Sequence, residues 1–189
     1  MLNKLYIGII IVIFNNNIMA IETPKYQVII QENGFELREY GPMIAALTKV
    51  ENNYREATVT GFRRIANYIF GGNSENINIE MTAPVISNTP NSNEAYEILF
   101  VMPSEYTFDK LPKPNFENIT LKELNLGKVV ALKFGGWATE ERVLSYKNKL
   151  KDLVADKNYK TDGNYLVAQY NSPWAIPPFR KNEILVKIK

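Results

Sequence analysis

The chain has 189 residues, 46% hydrophobic and 22% charged, with a formal net charge of +2; this is ordinary globular composition, enough for one domain, and offers no strong field to draw nucleic acid. Neither histidine nor cysteine occurs. Their absence excludes the Ser-His-Asp triad, cysteine nucleophiles and the common zinc sites, and it removes the one side chain whose unperturbed pKa suits proton transfer near neutrality.

The first segment reads as an export signal. Lys4 gives a positive start, Leu5 to Phe14 is almost unbroken apolar sequence, Asn15-Asn16-Asn17 ends it, and Ala20 offers a small residue for cleavage. The run is about half of the roughly 20 apolar residues that span a bilayer. Ile18 is bulkier than such a cut site prefers, and with no cysteine after the run a lipoprotein anchor is excluded. The expectation is a cleaved signal over 1–20, one domain over 21–189, a periplasmic or secreted location and no stable membrane insertion after cleavage.

Beyond the signal, strands surround one helix. Tyr26 to Gln31 is β-prone, Glu32-Asn33-Gly34 reads as a hairpin turn, and Phe35 to Tyr40 returns with Phe35 and Leu37 on one face. Gly41-Pro42 is expected to break the chain before a strand from Met43 to Val50. Asn52 or Asn53 can cap a helix from Tyr54 to Phe70, with Ala57, Phe62, Ile65, Ala66 and Ile69 as its apolar stripe. Gly71-Gly72 ends it. Strands follow around Ile77 to Ser87 and Ala95 to Met102, parted by the polar loop Asn88 to Asn93. The second half repeats the order. Glu117 to Leu124 and Lys128 to Phe134 are expected as a hairpin through Asn125-Leu126-Gly127. Thr139 caps a helix with Val143, Leu144, Leu150, Leu153 and Val154 on its buried face, and strands Tyr165 to Tyr170 and Glu183 to Ile188 close the unit. Two such halves imply an α+β domain: two βαββ-like units in a distorted antiparallel β-barrel flanked by two helices.

Several segments, taken in order, resemble one family. They include Phe35-Glu36-Leu37-Arg38-Glu39-Tyr40-Gly41-Pro42, Gly61 to Asn73 (GFRRIANYIFGGN) and Met81-Thr82-Ala83-Pro84-Val85. Phe100-Val101-Met102-Pro103-Ser104, Leu111-Pro112-Lys113-Pro114, Tyr170-Asn171-Ser172-Pro173-Trp174 and Arg180-Lys181-Asn182-Glu183-Ile184 complete the set. Together they are similar to the SOUL haem-binding proteins, in the form of an exported, bacterial-type member, over about Glu22 to Lys187. The resemblance implies non-covalent binding of haem or metal-free porphyrin in an apolar groove along the first helix and under the loop before the last strand. It implies a monomeric binding protein, not an enzyme, serving carriage, buffering or scavenging. Family members with an axial histidine carry it at the position held here by Glu39, so iron cannot be ligated that way. A macrocycle burying roughly 400 Å² of apolar surface gains about 10 kcal/mol, against an association cost of about 4–15 kcal/mol. Shape alone can therefore hold it, with little preference for iron.

On that resemblance Val59, Phe62, Arg63, Ala66 and Asn67 line the groove, and Phe179, Arg180 and Lys181 belong to its lid. Arg63, Arg180 or Lys181 would meet the propionates. The plainer reading of Phe62 and Ala66 is ordinary core, and of Arg63 a solvated surface residue. Tyr40, Tyr68 and Met43 are the remaining conceivable iron ligands. Glu36 and Glu39 lie three apart on a strand, hence on opposite faces, and make a poor acid–base pair. The alternative function is a small-molecule, effector-type binding or interaction module with no haem role.

Overall fold

The computed structural model describes residues 21–32, 34–90, 94–171 and 175–189. The expected signal lies outside these residues, as do Asn33, Asn91–Asn93 and Ser172–Trp174. Seven strands and two helices follow in the order β1 (Tyr26–Glu32), β2 (Phe35–Val50), α1 (Tyr54–Ile69), β3 (Val85–Asn88), β4 (Tyr96–Val101), β5 (Thr120–Gly135), α2 (Glu140–Asp156), β6 (Leu166–Gln169) and β7 (Lys181–Lys187). All strand pairs are antiparallel. Six strands close into a barrel, β2-β4-β3-β6-β7-β5 and back to β2, with β1 added beside the first half of β2. The α+β barrel expected from element order is therefore the fold.

Closure depends on two strands longer than expected. Gly41-Pro42 does not break β2, and the expected hairpin at Asn125-Leu126-Gly127 is instead the middle of β5. Phe35 to Leu47 runs against Leu132 to Thr120 in one register. Proline is tolerated because β1 stops at Tyr40 and β4 starts at Ala45. Ile44 offers its carbonyl to the β4 edge. Pro42, two residues before it, has its missing N–H on the same edge, where no strand pairs. Gly127 takes φ +57° opposite Tyr40. There both strands change the face they present inward, from Tyr40 and Val129 to Ala45 and Leu126.

Three apolar clusters result. One fills the barrel around Leu47, Ile86, Leu99 and Leu185. A second lies under α2, with Phe35, Leu37, Val143, Leu150 and Val154. The third lies under α1, with Ile65, Tyr68, Ile69, Ile98 and Phe100. Asn53 caps α1 by accepting from the Glu56 N–H, and Thr139 caps α2 by accepting from the Arg142 N–H. Leu144 departs from expectation. It is 55% exposed, because the buried stripe of α2 narrows to Val143, Leu150 and Val154. The stretch from Ile77 is likewise loop until Val85.

Candidate functional site

Helix α1 reaches its place because Gly61 has no side chain. A Cβ there would lie 2.2 Å from Cγ1 of Ile98 on β4. With Tyr54, Ala57, Gly61, Ile65, Tyr68 and Ile69 turned inward, the neighbouring stripe faces out. It holds Val59, Phe62, Arg63, Ala66 and Asn67, spaced so that all five share a face. Val59 is 45% exposed, Phe62 and Ala66 are half-buried, and Arg63 and Asn67 are exposed. The Phe62 ring leans on Phe100, with centroids 5.8 Å apart. Asn67 also serves the helix end. Its carbonyl accepts from the Gly72 N–H at 2.8 Å, and a Cβ at Gly72 would lie 2.1 Å from Oδ1 of Asn67.

From Phe62 the barrel wall continues one strand at a time. Phe100 pairs with Val85, Val85 with Gln169, and Gln169 with Asn182. Three strand steps of about 4.8 Å put the segment leading into β7 roughly 14 Å from the Phe100 position. That segment carries a short 3-10 turn, Pro177–Phe179, on which Phe179 is 73% exposed, with Ile176 before it 58% exposed. The two basic lid residues are more engaged than expected. Arg180 is 8% exposed; its guanidinium lies 3.7 Å over the Trp137 ring and its Nε donates to the Ala175 carbonyl. The Lys181 ammonium sits 4.2 Å over the Tyr170 ring.

Inside the barrel is a charged cluster that sequence reasoning missed. Arg38, wholly buried, donates both terminal nitrogens to Glu183 at 2.7 and 2.8 Å, its Nε to Glu36 at 2.8 Å, and from Nη1 also to the Tyr40 hydroxyl at 3.1 Å. The Tyr170 hydroxyl donates to Glu183 at 2.7 Å, Lys133 pairs with Glu36, and the Tyr26 ring covers the guanidinium at 4.3 Å. Burial works against ionising Glu183, but the hydrogen bonds and charge of Arg38 outweigh it and hold the carboxyl below its usual range. Glu36 is held low against the same burial by Lys133 and Arg38. Glu39, by contrast, is exposed on the outer face. The two glutamates point apart, as the strand period requires.

The tyrosines considered for iron are core residues. Burial pushes both Tyr40 and Tyr68 up to about 12, which opposes phenolate formation. Tyr68 donates to the Pro112 carbonyl at 2.9 Å. Two of the other signature segments hold the fold together through Asn73 and through Thr82 and Ala83. Asn73, with no exposure, uses its amide on the Tyr68 and Ile77 carbonyls and its oxygen on the Glu75 and Ile77 N–H groups. Thr82 bonds the Val101 carbonyl, Ala83 bonds Glu22, and Ala83–Pro84 is cis.

The profile of the SOUL heme-binding proteins matches residues 21–187. The chain belongs to the SOUL family. Heme-binding protein 2 of Homo sapiens is 31% identical over 82% of this chain and 80% of its own length. Heme-binding protein 1 of Xenopus laevis is 31% identical over 79% of this chain and 81% of its own. Among solved structures, the EcmrR C-terminal domain superposes on this SOUL domain with a TM-score of 0.66 at 15% identity, covering 87% of this chain and 98% of that one. A Listeria innocua protein described as a hydrolase does so with 0.56 at 11% identity, over 85% and 94%. These two likenesses concern the fold alone. Membership of the family supports haem or tetrapyrrole binding in general. Among the described residues, no helix is long and apolar enough to cross a membrane.

Proposed function

We propose that this SOUL domain binds a haem-type tetrapyrrole, with or without iron, on the outer strip between α1 and the segment before β7. The macrocycle lies against Val59, Phe62 and Ala66, over the Phe100–Val85–Gln169 wall, with Phe179 closing the far side. Arg63 meets a propionate, and Asn67 stands at the helix end of the strip, while the Lys181 ammonium stays over the Tyr170 ring at the barrel end. Arg180, already stacked on Trp137, holds the lid in place as well as adding positive charge. With no histidine in the chain, apolar contact supplies the affinity. Such a protein carries, buffers or scavenges pigment and performs no chemistry on it. The export signal would set it to work outside the cytoplasm, as a monomer.

The observation that carries this reading is the apolar stripe of α1 left facing solvent, beside a wall about one macrocycle wide. The test is a Soret-band titration of the protein with haemin and with protoporphyrin IX, wild type against Phe62→Asp. Both ligands bind the wild type with similar affinity. The introduced carboxylate weakens binding at least about tenfold, since a charge set against an apolar ring costs more than ~1.4 kcal/mol. Unchanged affinity in the variant places the pigment elsewhere. Broad binding of planar aromatic compounds with no porphyrin preference would favour the effector-type alternative.

A further inference from the structure

The end of the barrel holds a cavity of about 50 Å³, lined in part by Tyr26, Tyr40, Tyr170, Lys181, Leu126 and Leu185. It lies inside the barrel, not on the α1 strip, and the charged cluster around Arg38 adjoins it. Both oxygens of Glu183 are taken by Arg38, one of them also by Tyr170. The guanidinium is spent on Glu36, Glu183 and Tyr40. Two donors remain. Tyr40 accepts from Arg38, so its own proton is left over, and no acceptor for it exists among the described residues. The Lys181 ammonium rests on the Tyr170 ring, with no carboxylate in ion-pair range among the described residues. The cations Arg38, Lys133 and Lys181 also outnumber the carboxylates Glu36 and Glu183 around the cluster.

We propose that this cavity binds a small aliphatic carboxylate. One carboxylate oxygen accepts from the Tyr40 hydroxyl and the other faces the Lys181 ammonium, while the short carbon tail lies against Leu126 and Leu185. The volume decides the size class. A water in the liquid takes about 30 Å³, so the space suits a group of a few heavy atoms. Charge decides the valence: a single negative charge matches the surplus cation, whereas a phosphate dianion would exceed it and crowd Glu183. Charge-assisted hydrogen bonds of this kind are the strong ones.

The test is methyl NMR of the full-length chain, titrating acetate against chloride at matched ionic strength and neutral pH. Acetate gives saturable shifts of the Leu126 and Leu185 methyls, and chloride does not. Tyr40→Phe and Lys181→Met each weaken acetate at least about tenfold, the loss of one charge-assisted hydrogen bond. The Leu150 methyls under α2 stay unshifted in both variants, which certifies the fold. Tyr40→Phe leaves the haemin titration unchanged, so this site and the outer strip fail or stand separately. Linear shifts shared with chloride, or an acetate affinity that neither variant changes, would mean that water alone fills the space and would overturn the proposal.

Discussion

Arg38 and Glu183 are 145 residues apart in the chain and meet as a bidentate pair with no exposure on either side chain. A buried pair of this kind adds little net stability relative to apolar residues of equal volume, but losing one member is costly, because the other is left charged and dry. Glu183→Gln is therefore expected to cost about 3–5 kcal/mol in urea unfolding, while the double change Arg38→Met, Glu183→Leu costs much less than the sum of its parts. The sign of the pH effect follows from the two depressed carboxyls. Their stabilisation is fully present above the ordinary carboxylate value of 4.5 and is lost as pH falls through their lower folded values. Below about pH 4.5 wild-type stability should therefore fall more steeply than that of Glu183→Gln, measured as unfolding midpoint against pH. Equal slopes would assign the acid limb to other groups. At this scale the sequence was half legible. Strand alternation alone sets Glu36 and Glu39 on opposite faces. Nothing local announces that Arg38 will find Glu183, because that contact exists only after the barrel closes.

At the scale of elements, α1 was the most legible part and β5 the least. Asn53, the 3.6-residue apolar stripe and Gly71-Gly72 mark the helix from end to end within a residue. What they do not mark is why Gly61 sits mid-helix, where alanine would favour the helix by about 0.8–1 kcal/mol. The reason is the approach to Ile98. Gly61→Ala is expected to lower stability by about 1–3 kcal/mol in spite of its better propensity, because overpacking outweighs it. Adding Ile98→Ala restores only part of the loss: it removes Cγ1 and Cγ2, but the Ile98 Cβ would still lie 2.7 Å from the new methyl. Full rescue, or no loss in the single variant, would show that α1 can slide outward on β4. In β5, Asn125-Leu126-Gly127 has the residues of a hairpin turn. Turn chemistry is a local preference, and it is overridden here because Phe35–Leu47 offers one long ladder to the whole strand. The same ladder carries β2 through Gly41-Pro42. Glycine and proline mark a change of inward face in this pair of strands, not an end.

At the scale of the molecule, β2 and β5 serve every core. Leu37 and Val130 pack under α2, Leu47 and Val129 fill the barrel, and Ala46 and Leu121 meet the residues under α1. The repeated order of elements suggests two halves, but the packing leaves neither half a core of its own. Damage under one helix should thus be felt under the other. Ile65 beneath α1 and Leu150 beneath α2 are both fully buried, and truncating either to alanine should cost about 2–5 kcal/mol. The consequence for cooperativity is stricter than the magnitude. In both variants, loss of far-UV circular dichroism and change in tryptophan fluorescence should coincide in a single transition, as two-state unfolding requires. A pigment bound on the outer strip touches α1, the barrel wall and the segment before β7 at once, so haemin should raise that one midpoint by mass action and fail to do so in Phe62→Asp. Two separated transitions, with Ile65→Ala shifting only the first, would mean that the halves unfold independently and that β2 and β5 do not bind them into one unit.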